Sequence, residues 1–418
     1  MWRFYKYPFC LSLFLIALLL PAQEGGAVEP NTVSITLLEK KDQNWHKNSF
    51  KKRWIFGPTD LELNNNKLQV ESLKTRGQSC MIYSRRCFVV KLLEKGSFHT
   101  STPSFLNQTK KFYLISLAGD LGYIHMMIGY NLLAKANLFY PHYQYTELLI
   151  NDRSQGLYLA IQDPDKILEK RIKAQFVGRR GYGKRFNTKQ IIENASFTEA
   201  EHQQAYHQLL NLPNKHKGEE LYKKLKQRMD IDQYMQWLAI NYLVKNGDYT
   251  DEVFFYSKIV QPDCGIADCH SIYFQIMGWD MDDLFRAQHS SKANYIETPE
   301  GKSVRPKLKK SLLYSREARL DKAILDDAYL YTRYQQIALQ TLLEVITEDA
   351  IKDTFARTKK EIEVYLDNPN IHKASRRDRR RRGGYNKEYI LTLLESREKA
   401  LYKRRKQFLS TLQTNLSK

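Results

Sequence analysis

The chain lacks most of the features that assign function quickly. It has 5 cysteines in 418 residues, and no two stand at Cys-x-x-Cys spacing, which argues against a structural zinc site built from sulfur. No Gly-Lys-Ser/Thr ending follows a glycine-rich stretch, so a Walker-type phosphate loop is absent. Zinc-finger, RNA-recognition and basic-zipper patterns are missing, as are internal repeats and long low-complexity tracts, and specific nucleic-acid binding is not expected. After the N-terminal segment no apolar run is long enough to span a bilayer. What is abundant is positive charge, a formal +20, together with 12% aromatic and 42% hydrophobic residues, the composition of a globular body rather than a disordered chain.

Arg3 and Lys6 precede an apolar stretch over 9–20, and Ala22, Gly25, Gly26 and Ala27 follow. That is the order of a secretory signal peptide, with an uncleaved N-terminal anchor as the alternative. Cleavage near Ala22 or Ala27 predicts a soluble mature chain outside the cytoplasm, secreted or periplasmic. The cysteines beyond it form two close pairs, Cys80 with Cys87 and Cys264 with Cys269, and disulfides are expected over free thiols. Asn107-Gln108-Thr109 and Asn194-Ala195-Ser196 fit glycosylation acceptors, which matter only in a eukaryotic secretory pathway. His125, His142 and His202 lack ligand-like spacing and read as packing or surface residues.

Periodicity predicts an α+β chain. Residues 28–165 read as a β-rich N-terminal lobe, with short apolar runs such as Val33-Ser34-Ile35-Thr36-Leu37 and Cys87-Phe88-Val89-Val90, one helix over 121–139, and a hairpin of strands 145–150 and 156–161. Residues 166–418 read as a mainly helical lobe with a small hairpin, 253–256 and 271–276, inserted. A helix over 230–245 is capped by Asp230 or Asp232 and runs out into Asn246-Gly247. Gly178-Arg179-Arg180-Gly181 and the residues after it read as a mobile basic surface loop. The arginine-rich run 376–382, beginning at Arg376, is a solvated loop or a contact for a polyanion or an anionic surface.

The chemistry concentrates in two acidic pieces. Asp248 follows a helix end and a glycine; Trp279-Asp280-Met281-Asp282 follows a strand-like run. A loop aspartate that orients a hydroxyl, with an acidic group at a strand end that holds magnesium, is the division of labour in protein kinases. Asp280 and Asp282 repel each other unless a cation is near; a capped acidic turn is the bland alternative.

Several ordered pieces resemble the CotH spore-coat kinase-like family, whose members have an atypical two-lobed protein-kinase fold. They are Arg76-Gly77-Gln78-Ser79 followed by Ser84-Arg85-Arg86-Cys87-Phe88, the helix over 124–138, the hairpin with Asn151 and Gly156-Leu157-Tyr158, Asn246-Gly247-Asp248 leading to Phe255-Tyr256, and Gly278-Trp279-Asp280-Met281-Asp282. The resemblance implies Asp248 as catalytic aspartate and Asp280, with Asp282, as ligands of Mg2+ or Mn2+. It implies Arg76, Arg85 and Arg86 near the phosphates of ATP, and Tyr158 and Trp279 as stacking partners for the purine. The chain departs from the family pattern at three places. Glu252 stands where asparagine is usual and would change the metal geometry. Arg85 and Arg86 stand where lysine is usual, and Gln162 stands where the hairpin commonly ends in glutamate, so a lysine–glutamate ion pair cannot be rebuilt there. The expected activity is transfer of the ATP γ-phosphoryl group to an exposed Ser or Thr of an extracytoplasmic or coat protein. The alternative is a catalytically inactive kinase-like scaffold or adhesion protein.

Overall fold

A computed structural model of the chain describes residues 30–40, 54–77, 80, 83–96, 109–180, 186–191, 195–247, 253–260, 271–286, 296–297, 303–304, 312, 319–376 and 385–417. The leader-like segment, Asp248, Glu252, Cys264, Cys269 and all of the arginine run after Arg376 lie outside these residues. Asn107 and Asn194, the two acceptor asparagines named above, lie outside them as well.

Seven strands close into a barrel: β1 (Thr32–Leu37), β2 (Thr59–Leu63), β3 (Asn66–Arg76), β4 (Cys87–Gly96), β5 (Thr109–Ile115), β6 (Tyr143–Ile150) and β7 (Arg153–Gln162), in the order β1-β2-β3-β4-β5-β7-β6. All neighbours are antiparallel except β1 and β6, whose parallel pairing, Val33 opposite Leu148 and Ile35 opposite Ile150, closes the ring. Alternation fills the interior with Val33, Ile35, Phe88, Val90, Phe112, Leu114, Leu148, Tyr158 and Ala160. Residues of the opposite parity on β4, β5 and β7, namely Val89, Tyr113, Leu157, Leu159 and Ile161, pack against the rest of the molecule. Those strands are covered on both faces, which is why Cys87-Phe88-Val89-Val90 and Leu157-Tyr158-Leu159-Ala160-Ile161 are unbroken apolar runs. Cys80 and Cys87 form a disulfide just ahead of β4.

The hairpin between β6 and β7 turns on two residues, Asn151 (φ 48°) and Asp152 (φ 59°), a tighter turn than the five-residue loop expected. Its left-handed positions are ones that Asn and Asp tolerate. The expected helix over 121–139 is shorter: a 3-10 turn, Leu121–Tyr123, bends at Gly122 (φ 69°), and α1 then spans His125–Lys135.

The remainder is built around α5 (Ile231–Val244), which follows α2 (Pro164–Ile167), α3 (Glu199–Lys215) and α4 (Gly218–Lys226). Asp230 caps α5 by accepting the Gln233 N–H at 3.0 Å, and ten of its side chains are buried. The expected small hairpin proves to be half of a four-stranded sheet: β8 (Phe176–Arg180), β9 (Phe186–Ile191), β10 (Val253–Val260) and β11 (Ser271–Met277), in the order β11-β10-β8-β9. Gly178 and Arg180 therefore belong to a strand, not a surface loop. A Cβ at Gly178 would meet the Phe186 ring at 2.2 Å, so glycine lets that ring lie on the sheet. Two short strands, β12 (Ile296–Glu297) and β13 (Ser303–Val304), pair with each other. Then come α6 (Arg319–Asp326), α7 (Ala328–Gln340), α8 (Glu348–Glu363), α9 (Pro369–Ser375) and the 30-residue α10 (Lys387–Leu416), which packs along α5, α7 and α8. No described helix is long and apolar enough to cross a membrane.

His202 on α3 is 1% exposed, stacks on Phe176 and hydrogen-bonds Ser257 Oγ at 3.3 Å. Burial lowers its pKa to about 4. The unfolded chain therefore binds a proton that the folded chain refuses between pH 6.5 and 4, and stability falls as pH falls through that window. His202→Phe should reduce that loss, by on the order of 1–3 kcal/mol, in urea unfolding at pH 7 and pH 4.5. An unchanged pH slope would show that His202 is not responsible.

Candidate functional site

The outer face of β3, β5 and β7 meets the segment 278–286 that follows β11. Arg76, the last residue of β3, lays its guanidinium over Tyr113 of β5, 3.9 Å from the ring centroid, and 6.0 Å from that of Trp279. Trp279 is half-buried and held edge-on by Tyr113 at 6.5 Å and Phe254 at 6.3 Å. One Arg76 nitrogen, Nη1, is buried with no hydrogen-bond partner. A cationic donor left this way is costly unless something accepts from it.

Asp280 has left-handed backbone (φ 50°), a conformation that costs roughly 1 kcal/mol outside glycine and collects at functional sites. Met281 is fully buried beneath α1, where a Cβ at Gly129 would stand 2.4 Å from the Met281 Cβ. That close approach requires glycine. On the other side Gly119 leaves room: its Cβ would lie 3.6 Å from Asp282 Oδ2 and 3.5 Å from the Tyr83 hydroxyl. The Tyr130 hydroxyl is pushed well above its ordinary pKa by burial and then by Asp280 and Asp282, while Arg76 acts in the opposite sense. Both carboxylates and the one guanidinium thus act on the same buried phenol.

The segment is tied to the end of α5. Phe285 N donates to Val244 O (2.8 Å), Arg286 N to Lys245 O (3.2 Å) and Gly247 N to Asp283 O (2.9 Å). Asn246 Nδ2 donates to Asn241 Oδ1 at 2.9 Å and reaches Met281 Sδ at 3.5 Å. Gly247, the residue before Asp248, is therefore fixed against the acidic segment. Below, His125 Nδ1 meets the Asp282 carbonyl at 3.2 Å, and burial holds its pKa down to about 3. Asp120 accepts the His125 and Met126 N–H groups at 2.9 and 2.8 Å, yet its burial outweighs them and raises its pKa to about 7.

Arg76, Trp279, Asp280 and Asp282 come together. Arg85 does not join them. It is 1% exposed and gives Nε to Gln155 O (2.8 Å), Nη1 to Tyr123 Oη (3.0 Å) and Nη2 to the carbonyls of Ser116 (2.6 Å) and Leu157. Its fork is used to join three chain segments. Arg86 is also buried, its pKa lowered by desolvation, and its carbonyl accepts the Tyr158 hydroxyl at 3.1 Å. Tyr158 is fully enclosed in the barrel beside Phe88, so stacking on a purine is not open to it. Gln162 pairs with Phe112 across β5 and β7, in the interior row, and its Oε1 is buried without a partner.

No sequence motif points to the neighbours that complete this wall. Lys111 Nζ lies 2.9 Å from Asp163 and 3.9 Å from Asp165, and Tyr113 Oη donates to Asp163 at 2.9 Å. Burial and then Asp163 raise the Asp165 pKa to about 6. The only signal for Lys111 is that β5 alternation puts it on the same face as Tyr113. Among the described residues no group of three or more His, Cys, Asp or Glu side chains is arranged to hold a metal.

The family comparison bears on this arrangement. The family model described as CotH kinase protein matches residues 73–401. The chain belongs to the CotH kinase protein family. A comparison with curated proteins gives no match.

The two arginines should separate cleanly on substitution. Arg85→Met leaves its carbonyl partners without donors inside the protein and is expected to cost about 3–5 kcal/mol in urea unfolding. Arg76→Met removes a ring contact and an unpartnered charge, and its cost should stay within about 1 kcal/mol. Equal losses would contradict a structural Arg85 beside a ligand-facing Arg76.

Proposed function

We propose that the protein is an exported phosphotransferase that moves the γ-phosphoryl group of ATP to a Ser or Thr hydroxyl of an extracytoplasmic or coat protein. The observation that carries the proposal is the tie between Val244, Lys245 and Gly247 on one side and Asp283, Phe285 and Arg286 on the other. It fixes Gly247, the residue before Asp248 in the sequence, against the segment that carries Asp280 and Asp282. Family membership and the leader-like N-terminal segment support the same reading.

In this reading Asp248 orients the acceptor hydroxyl and takes its proton as the new P–O bond forms and the bond from the γ-phosphorus to the bridging oxygen breaks, releasing ADP. Arg76, held over the Tyr113 ring, supplies positive charge toward the phosphates, and Trp279 offers the edge of an aromatic wall to the base. Magnesium or manganese would be held by Asp280 and Asp282, with Glu252 as a further candidate ligand. The donor set fits by its chemistry: these cations take one or two carboxylates and complete their shell with phosphate oxygens and water. The metal, when bound, would supply charge neutralisation at the phosphates. A substrate contact through the arginine-rich stretch that starts at Arg376 belongs to the same proposal, as an electrostatic hold on an acidic partner.

The test is ATP binding and phosphate transfer by the mature chain with Mg2+ or Mn2+, beside Asp248→Ala and Asp280→Ala. Transfer should fall by roughly 10²–10⁴ in each. Asp280→Ala should also lose metal-dependent nucleotide binding while keeping its circular dichroism. A folded wild type that binds no nucleotide would sink the proposal and favour a scaffold or adhesion role.

A further inference from the structure

A second cation stands on this wall, and it comes from a different strand than the motif suggests. The family pattern puts its lysine near Arg85 and Arg86 and its acid at Gln162, and these side chains are committed elsewhere: Arg85 to four acceptors within the protein, Gln162 to the interior row of the barrel. One residue along, the geometry changes. Because Phe112 lies opposite Gln162, Lys111 stands beside Asp163, and both continue the outward row that includes Tyr113 and Ile161.

Asp163 is 1% exposed, with Oδ2 at 2.9 Å from Lys111 Nζ and Oδ1 accepting the Tyr113 hydroxyl at 2.9 Å. Both oxygens are used, which fixes the lysine's direction. Lys111 itself keeps 31% of its side chain exposed, so its ammonium has donors left for a ligand. Tyr113 links this pair to Arg76, which lies over its ring at 3.9 Å, and Arg76 leads to Trp279 and Asp280. Lys111 and Arg76 thus stand along one wall, the lysine flanked by Asp163 at 2.9 Å and by Asp165 at 3.9 Å.

We propose that Lys111, positioned by Asp163, is the cation that binds the α- and β-phosphates of the nucleoside triphosphate, in place of the Arg85 position. This rests on the nucleotide-binding reading above. Asp163 is a positioning residue; Lys111 touches the ligand. The pair restores, from β5 and the residue just past β7, the lysine–acid arrangement that Gln162 had removed.

The experiment measures ATP and adenosine affinity of the full mature chain and of Lys111→Met, Lys111→Gln, Lys111→Arg and Lys91→Met, with circular dichroism on each. Lys91 is the control, since it lies opposite Lys111 on β4 but is held by Glu71 at 2.5 Å. Lys111→Met and Lys111→Gln should weaken ATP binding by about tenfold or more, with adenosine affinity unchanged. Lys111→Arg should recover part of it, and Lys91→Met should shift it by less than about twofold. Wild-type binding with unchanged ATP affinity in both Lys111 variants overturns this inference alone. So does an equal loss for ATP and adenosine, or a loss of fold in both variants, which would make the pair structural. A wild type that binds no nucleotide overturns the nucleotide reading itself.

Discussion

The backbone tie between the end of α5 and residues 283–286 is the constraint on which the rest of the cleft depends. The two segments are close in space but come from opposite sides of a strand pair, and they are joined by N–H to carbonyl bonds rather than by side chains. Each such bond contributes on the order of 1 kcal/mol net, but the geometry they impose matters more than their sum. They set the register of the segment after Asp282 against Gly247. Lys245, left-handed at φ 50°, ends α5, and Arg404 of α10 caps that last turn by donating to Tyr242 O at 2.6 Å and Leu243 O at 2.7 Å. The 30-residue helix α10 therefore secures the end of α5.

The barrel supplies the opposite wall. Its interior is filled by one parity of side chains, and the other parity on β4, β5 and β7 is pressed against α1 and the helices beyond. A sheet buried on both faces resists slipping by one residue, since that would exchange the two sets. Register on this wall is what decides chemistry: the same strand end offers Gln162 to one face and Asp163 to the other. A buried arginine reinforces it. Arg85 joins the carbonyls of Ser116, Gln155 and Leu157, holding β7 to the end of β5 where the wall turns toward the cleft.

Much of the frame is legible in the sequence because it is local. Alternation marks the strands, the Asp230 cap and apolar spacing mark α5, and the order of Asn246-Gly247-Asp248 and Trp279-Asp280-Met281-Asp282 points to the acids. What cannot be read is non-local. Closure of the barrel depends on β1 meeting β6 in parallel, across more than a hundred residues, and periodicity carries no partner information. The four-stranded sheet is hidden because Gly178, Arg179 and Arg180 look like a basic loop until the Phe186 ring fills the space over Gly178. The resemblance assigns Arg85 to the phosphates; a buried arginine is rare, and the carbonyls that converge on it and offset the cost of burial come from distant segments. Lys111 escapes notice for the reverse reason, since a lysine near a strand start is ordinary.

The charge balance of the cleft follows from what lies beneath it. His125 holds the Asp282 carbonyl, and burial keeps its ring neutral through the physiological range. Asp120, at the N-terminus of α1, has its carboxyl raised to about 7 by the same burial, so it contributes less than a full negative charge at neutral pH. Neither group offsets Asp280 and Asp282. Arg76 is the cation whose influence on Tyr130 opposes theirs, and it sits on the far wall, over Tyr113, committed to a ring rather than to an ion pair. Asp280 and Asp282 on one segment and Arg76 on the barrel bring charges of opposite sign to bear on one buried phenol, and the proposed phosphoryl transfer would draw on both signs, the carboxylates toward a metal and the guanidinium toward phosphate.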